Sequence, residues 1–463
     1  MLKLIIDGGR YDHEFVEQYT RGFDEFKDYL DTQTLEQLSR WCGISVTDIE
    51  KLTDIFCSTT KIPLVSYTGL EYQLSAIQNN RAIFVLWAIT GKLDAPGAIY
   101  LNAKGLETPK LFEIPEDNKP IGVDEFPLFY KFSGLGQFSR FPKAVLEDEP
   151  YPVRGLMILG GSPVLSFPDS KSWREAYKKL DCLIVLDRYY TEDARYADVV
   201  FPACSLFEVP KVVSGPEGPH IVEPLITPVG ESKNDVLIMG AIAEKLGFGD
   251  KLPQTEEELR EWLLSGTAPY AGDFGGESGK KQERHYKKYE TGELRADGKP
   301  GFPTPSGKLE ICSTILEENG FVPYPEYKDI RSIPELAGEE YTFTMTSGAR
   351  SNNRMGVFGA NLDGITAIEP YPLVDICAED AKEIGIEDGD MVKVTTPFAN
   401  GTFKAKIRGI ARHAIHIPHG GGSAYMSEPW KHGNVNDLCS LDYADPMTGF
   451  VLIKSMPCKV EKE

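Results

Sequence analysis

The chain has 463 residues, of which 41% are hydrophobic and 26% charged, a composition typical of globular proteins. Its length favours two to four domains. Lys and Arg number 49 against 70 Asp and Glu, so the formal net charge is −21. A surface this acidic repels phosphate backbones, which excludes nucleic acid as the expected partner. No apolar run reaches the ~20 residues that a membrane-spanning helix needs.

The cysteines exclude one class of site. None of the eight forms a Cys-x-x-Cys pair. Iron–sulfur clusters and structural zinc sites built on close pairs are therefore not expected within this chain. Eight cysteines are also too few for a disulfide scaffold, and buried or free thiols in a reducing compartment are the favoured interpretation.

Residues 1–104 predict a partial α/β domain. Thr47 is a candidate helix N-cap, with Glu50 at the capping-box spacing. The apolar residues 63–67 predict a short buried strand, and residues 79–93 predict a strongly apolar helix. The proline-rich residues 105–150 show little periodicity and predict a connecting segment.

Residues 151–248 predict an α/β domain with a doubly wound, mostly parallel sheet. Buried strands are expected at 155–159, 183–187 and 199–202. A helix with Ser170 or Ser172 as its cap is expected between the first two. Residues 249–335, rich in glycine, proline and charge, predict a loop-rich connection.

Residues 336–463 predict a compact β-barrel. Short alternating strands are expected near 341–346, 391–396, 402–407 and 414–418. Asp388-Gly389 and Asn400-Gly401 are typical turn pairs. Val392 and Val394 are predicted to point into the barrel core.

Two regions, one in the α/β domain and one in the barrel, carry side chains that suit a nucleotide. Gly161 and Ser162 follow the first strand of the α/β domain, and Asp187 ends the next, at the edge where open α/β sheets bind ligands. Glycine backbone approaches phosphate closely, and a carboxylate accepts from ribose or guanine donors. A tight turn with Asp187 as a cap is the structural alternative.

The barrel carries the second donor-rich loop. Arg350 and Arg354 could clamp a diphosphate, or belong to a polar hairpin. His413, His416 and His419 lie three residues apart, but His413 and His416 would face opposite sides of a strand. No cysteine or carboxylate completes a ligand set, and we predict no metal site here.

Six segments, taken in order, resemble the molybdopterin oxidoreductases of the dimethyl sulfoxide reductase family. They are residues 5–16, 80–97, 187–203, 304–310, 378–394 and 434–438, with Asp445 and Lys454 beyond them. The branch most similar is the acetylene-hydratase-like or reductive-dehydroxylase-like one. The resemblance implies a C-terminal barrel of the double-psi type. It also implies a cofactor of two molybdopterin guanine dinucleotides around molybdenum or tungsten.

The resemblance also implies which residues bind this cofactor. Thr68, Gly69 and Tyr72 would approach one pterin, and Asn436 and Lys454 match pterin-contacting positions in the tail. Guanosine or phosphate contacts fall on Gly161, Ser162, Asp187 and Asp235. The barrel loop that wraps the second dinucleotide carries Ser347, Gly348, Arg350, Asn352 and Asn353. Tyr72 and Ser162 depart from the amide side chains that many members carry there.

Family members begin with a cysteine-bearing domain, which often holds an iron–sulfur cluster, and the metal-ligating residue follows it. This chain matches neither segment, so the resemblance predicts a C-terminal portion, a truncated product or one half of a split enzyme. A 4Fe-4S cluster would belong only to the absent N-terminal part. The expected partners are a small-molecule substrate, that N-terminal half and an iron–sulfur electron-transfer subunit.

The leading hypothesis is therefore the cofactor-binding part of a molybdenum or tungsten oxidoreductase acting by oxygen-atom transfer or reductive dehydroxylation. The alternative is a catalytically inactive subunit or carrier that binds the pterin cofactor. A nicotinamide dehydrogenase ranks last, because Gly160-Gly161-Ser162-Pro163 lacks the Gly-x-Gly-x-x-Gly pattern. The sequence is compatible with the cytoplasm and with the periplasm.

Overall fold

The computed structural model describes residues 1–101, 119–215, 218–265, 284–348 and 362–463. In these residues the N-terminal half contains the α-helices α1 (Leu2–Asp7), α2 (His13–Tyr19), α3 (Phe23–Asp31), α4 (Leu35–Cys42), α5 (Val46–Cys57), α6 (Ala76–Ile89), α7 (Pro127–Ser133), α8 (Phe141–Glu147), α9 (Pro163–Ser166) and α10 (Ser170–Lys179). The α-helices that follow are α11 (Asp235–Leu246), α12 (Glu256–Leu264), α13 (Lys288–Thr291), α14 (Thr314–Glu318), α15 (Asp363–Ile368), α16 (Ala378–Glu383) and α17 (Glu428–Lys431).

The strands of the described residues form four sheets. They are β1 (Thr20–Arg21), β2 (Gly155–Leu159), β3 (Cys182–Asp187), β4 (Val199–Pro202), β5 (Lys211–Gly215), β6 (Gly218–Val222), β7 (Leu309–Glu310), β8 (Phe343–Ser347), β9 (Leu373–Ile376), β10 (Met391–Thr395), β11 (Asn400–Ile407), β12 (Ala414–Ile417) and β13 (Lys454–Lys462). None of the helices described has the length and apolar character needed to cross a membrane.

The first hundred residues are mainly helical. Their core includes Ile5, Phe26 and Ile89, and β1 pairs in parallel with the distant β7. The strand predicted at 63–67 is wrong, because Val65 is 93% exposed and no described strand lies beside it to pair. The predicted cap Thr47 is also wrong: the Ser45 hydroxyl accepts from the Asp48 amide at 3.1 Å and caps α5.

Two helices, α7 and α8, occupy part of the predicted connecting segment. Pro127 and Pro142 lie in their first turns. Backbone N–H groups of a first turn have no partner within the helix, so a proline, which lacks the N–H, is tolerated there. Phe141 of α8 stacks on Trp173 of α10, with ring centroids 5.5 Å apart. The prolines therefore begin helices here, which is why their number misled the prediction.

The predicted parallel α/β sheet is confirmed, with β3 between β2 and β4. β2 lies at the edge and is less buried than predicted, since Leu159 is exposed. The cap of α10 is Asp169, whose carboxylate accepts from the Ser172 amide, and not Ser170 or Ser172. The antiparallel hairpin of β5 and β6 was not predicted.

The C-terminal barrel is confirmed and closed, in the strand order β10-β11-β9-β12-β8-β13. Val392 and Val394 are fully buried in its core, as predicted. The two turn assignments need correction. Asp388-Gly389 joins α16 to β10 and is not a hairpin, while Asn400-Gly401 begins β11. The β10–β11 turn lies just before it, where the Thr396 amide donates to the Ala399 carbonyl at 2.9 Å.

The chain after β12 returns to the α/β domain. Met426 and Trp430 are buried in the same core as Trp173 and Leu183. The Asn436 side-chain amide donates to the Leu165 carbonyl at 2.7 Å. The predicted domain limits remain predictions, but these contacts join the α/β domain and the barrel tail through one apolar core.

Candidate functional site

Two predicted site residues lie together at the carboxyl edge of the parallel sheet. Asp187 ends β3, and Asp235 is the first residue of α11, whose cap is the Asn234 side chain. Burial raises the pKa of Asp235, and the nearby charge of Asp187 raises it further. Two neighbouring carboxylates are stabilised by a ligand that donates N–H or O–H groups, as a guanine base or a ribose does.

The glycine turn after β2 borders this edge. Gly160 adopts a left-handed conformation, with φ of +60°, and its amide donates to the Leu186 carbonyl. The Ser162 hydroxyl donates to the buried Asp193 carboxylate. The donor of Ser162 is thus used inside the fold, and Gly161 offers half-exposed backbone to a ligand.

A second cluster forms where the barrel meets the loop before α6. The Lys454 backbone amide donates to the Tyr72 carbonyl at 3.3 Å, and the Lys454 ammonium donates to the Ser347 carbonyl. Gly348 has φ of +107°, and a Cβ there would lie 3.0 Å from the Lys454 ammonium. The fold therefore brings together Tyr72, Ser347, Gly348 and Lys454, which the sequence separates by up to 382 residues.

Lys454 is a buried cation with an unusual environment. It is only 9% exposed, and within the described ranges no carboxylate forms an ion pair with its ammonium. Burial lowers the pKa of Lys454. A buried ammonium that has a carbonyl but no acid beside it retains the capacity to bind an anion.

The other residues predicted for this region differ in exposure. Thr68 is half-buried and Gly69 exposed, and the Gln73 side chain donates to the Gly69 carbonyl at 3.1 Å. Tyr72 adopts φ of +60°, with its ring 5.4 Å from that of Phe450. Arg350, Asn352 and Asn353, with Arg354, lie outside the described residues.

Asn436 has a structural role in the fold that the sequence did not predict. Its buried side-chain amide is bonded to the Leu165 carbonyl, and its own carbonyl accepts from the Asp169 amide at 3.0 Å. These bonds fasten the barrel tail to the α/β domain. The structure thus gives Asn436 a structural function, and its contact with a pterin stays a prediction.

The barrel histidines do not form a metal centre in the described part of the chain. His416 Nδ1 lies 3.1 Å from Asp375, whose other oxygen lies 2.9 Å from Arg408. No cluster of three or more potential metal ligands occurs among the residues described.

Sequence reasoning missed two acids at the site, Glu192 and Asp193. Both are buried; Asp193 holds the turn that contains Ser162, and Glu192 holds Ala424 in the segment after the barrel strand β12. Their signal was the segment 191–198, which was matched to the family without a role being assigned to either acid.

An α/β domain and a barrel that each offer a polar ligand cluster define a class of protein that binds nucleotide-like cofactors. Family comparisons agree with this class. Residues 73–245 match the model "Molybdopterin oxidoreductase", and residues 345–457 match "Molydopterin dinucleotide binding domain".

Individual relatives support the same assignment. The chain is 24% identical over 462 residues to acetylene hydratase of Syntrophotalea acetylenica, covering 91% of this chain and 62% of that protein. It is 26% identical over 435 residues to the F420-dependent formate dehydrogenase subunit alpha of Methanocaldococcus jannaschii, covering 88% and 60%. The solved acetylene hydratase from Pelobacter acetylenicus has the same fold, with a TM-score of 0.80 at 21% identity over 100% of this chain and 69% of that one.

The chain belongs to the molybdopterin oxidoreductases of the dimethyl sulfoxide reductase family, which confirms the resemblance. It spans about three fifths of the length of the two curated relatives, 62% and 60%.

Proposed function

We propose that this chain is the cofactor-binding part of a molybdenum or tungsten oxidoreductase that holds two molybdopterin guanine dinucleotides. The observation that carries the proposal is the buried Lys454 ammonium, which has no acid partner in the described residues. The chain is acidic overall, so a buried cation without a carboxylate fits an anionic ligand better than a structural ion pair.

The two clusters fit the two ends of such a cofactor differently. Asp187 and Asp235 would accept the N–H and O–H donors of one guanosine, and the half-exposed Gly161 backbone suits its phosphates. Lys454, with the Ser347 and Gly348 backbone, would neutralise an anionic group of the other dinucleotide or its pterin. Tyr72 would border the same cluster, because its carbonyl accepts from the Lys454 amide.

The activity proposed is oxygen-atom transfer or reductive dehydroxylation of a small substrate. When bound, the cofactor supplies a redox-active metal that exchanges an oxygen atom or hydroxyl with substrate. This chain's residues bind and orient the cofactor and shield it from water. The relatives include a protein named as a dehydrogenase subunit, so we also propose a partner that exchanges electrons with the enzyme.

The test is cofactor retention. The full chain is purified from a bacterium that makes molybdopterin guanine dinucleotide, and oxidised pterin and released GMP are counted per chain. We expect Lys454→Met and Asp235→Asn each to lower retention about ten-fold, the loss expected for one charge-assisted hydrogen bond. The control Lys459→Met removes an exposed ammonium from the same strand and should leave retention unchanged.

Two outcomes contradict the proposal. One is a wild-type chain that retains no pterin in a host shown to load a known member of the family. The other is equal retention by the wild type and by both site variants. Pterin retained without any turnover of small oxygen-containing substrates, once the remaining part of the enzyme is supplied, would instead favour the inactive carrier.

A further inference from the structure

Two adjacent acids follow the strand that ends at Asp187, and both are almost completely buried. Glu192 is 2% exposed and Asp193 is 0% exposed. Burial of two neighbouring carboxylates is costly unless each is fully hydrogen-bonded. Each acid meets this condition with a different loop, one in the α/β domain and one after the barrel strand β12.

Asp193 holds the glycine turn of the α/β domain. Its carboxylate accepts from the Ser162 hydroxyl, from the Val164 amide at 3.1 Å and from the Tyr177 hydroxyl at 2.8 Å. Tyr177 lies on α10, which packs behind the same turn. Three donors from two elements thus fix the backbone between β2 and α10.

Glu192 holds the segment that leaves the barrel. One oxygen accepts from the Ala424 amide at 3.0 Å and the Ser423 hydroxyl at 3.3 Å. The other accepts from Arg195 at 2.8 Å and lies 3.8 Å from Arg174. Arg174 also donates to the Gly422 carbonyl at 3.3 Å, so the same helix, α10, carries a partner of each acid.

We propose that Glu192 and Asp193 are positioning residues with separate tasks in cofactor binding. Asp193 shapes the Gly160–Ser162 turn beside Asp187, and Glu192 fixes the position of the barrel relative to Asp187. Glu192 thereby sets the span between the carboxylate cluster and Lys454. This inference rests on the proposed function, because a span matters only to a ligand that reaches both clusters.

If the two acids have separate tasks, variants of each acid should differ in how they affect the binding of a small probe and the retention of the whole cofactor. GDP, which reaches only the carboxylate cluster, is titrated calorimetrically into the full chain, and pterin retention is measured on the same variants. Asp193→Asn should weaken GDP binding and lower pterin retention, each about ten-fold. Glu192→Gln should lower pterin retention about ten-fold while GDP binding stays within about two-fold of wild type.

Ser423→Ala provides a milder variant if Glu192→Gln does not fold. It removes one donor to Glu192 and should reproduce the same split with a smaller loss. The matched control is Asp94→Asn, another fully buried acid, which accepts from Lys288 at 2.5 Å in a different part of the fold. Asp94→Asn should lower the melting temperature without changing GDP binding or pterin retention.

The outcomes separate this inference from the proposed function. A wild-type chain that binds neither GDP nor the cofactor contradicts the proposed function itself. If the wild type binds both, the inference is overturned when the Glu192 and Asp193 variants bind GDP and cofactor like wild type. It is also overturned when Glu192→Gln weakens GDP binding as much as cofactor retention, or when the control Asp94→Asn lowers pterin retention as much as the two variants do.

Discussion

Lys454 illustrates how one residue can oppose stability and serve binding. Burial lowers the pKa of Lys454, so folding disfavours its charged form. For a lysine, a folded pKa below the unfolded one means that the native chain loses its proton first as pH rises. Stability from this group therefore increases as pH rises from the lowered pKa toward 10.5. Each unit of that difference is worth about 1.4 kcal/mol.

Lys454→Met should therefore stabilise the cofactor-free chain at neutral pH while it lowers pterin retention. The gain in unfolding free energy, measured in urea, should shrink as pH is raised through 10.5, because above that pH the wild-type lysine is neutral in both states. Lys459→Met, on the exposed side of the same strand, should show no such pH dependence. A Lys454→Met chain that is less stable at neutral pH would mean that the ammonium is well compensated.

At the scale of single residues, the sequence predicted which residue types the site contains but not which residues contact one another. Asp187, Asp235 and Lys454 were assigned through family positions, and the structure places the first two together. The contact between Lys454 and the Ser347 carbonyl joins residues 107 positions apart, which no local pattern encodes. The same holds for Asp193, whose partner Ser162 lies 31 positions away and uses its hydroxyl inside the fold.

At the scale of elements, alternation predicted the barrel strands well because one face of each is buried. In β10 the buried residues Val392 and Val394 alternate with half-buried ones. A short apolar run predicted a strand at 63–67, and that prediction failed because the run has no neighbouring strand among the residues described. Strand formation depends on a partner, and that partner is not visible in a local window. Helix caps shifted by one to three residues for a related reason, since several Ser, Thr and Asp side chains compete for each end.

Gly22 lies between the strand β1 and the helix α3, and its surroundings allow a test of close packing. It has φ of +83° and lies where β1 meets the chain after β7, and an added Cβ would overlap the Cys312 side chain. Gly43 has a similar φ of +66°, but nothing lies within 4 Å of its added Cβ. The two glycines therefore share backbone strain and differ in crowding.

Gly43→Ala should cost about 1 kcal/mol of unfolding free energy, the penalty of a left-handed alanine. Gly22→Ala should cost that amount plus an overpacking term of about 1–3 kcal/mol. Urea unfolding followed by circular dichroism measures both. Equal losses of unfolding free energy in the two variants would show that the β1–β7 junction rearranges to accept the added methyl group. Close packing at Gly22 would then not hold the N-terminal helices against residues 309–312.

At the scale of the whole molecule, the barrel and the α/β domain are expected to lose stability together. Their cores are distinct around Val394 and around Trp173, but Met426 and Trp430 from the barrel tail are buried in the second. Glu192 and Asn436 add polar bonds across the same junction. A barrel that unfolds therefore withdraws two large side chains from the α/β core.

Val394→Asp tests this coupling, because an unpaired buried charge costs several kcal/mol. We expect hydrogen exchange to lose protection in β10 and also in β3, although β3 contains no mutation. The control Thr395→Asp places the same charge one residue on, opposite Lys459 on β13, where it can be paired, and should leave both strands protected. Loss of protection in β10 with full protection in β3 would mean that the two cores fold independently. In that case the cofactor-binding clusters would be held in place by the cofactor rather than by the chain.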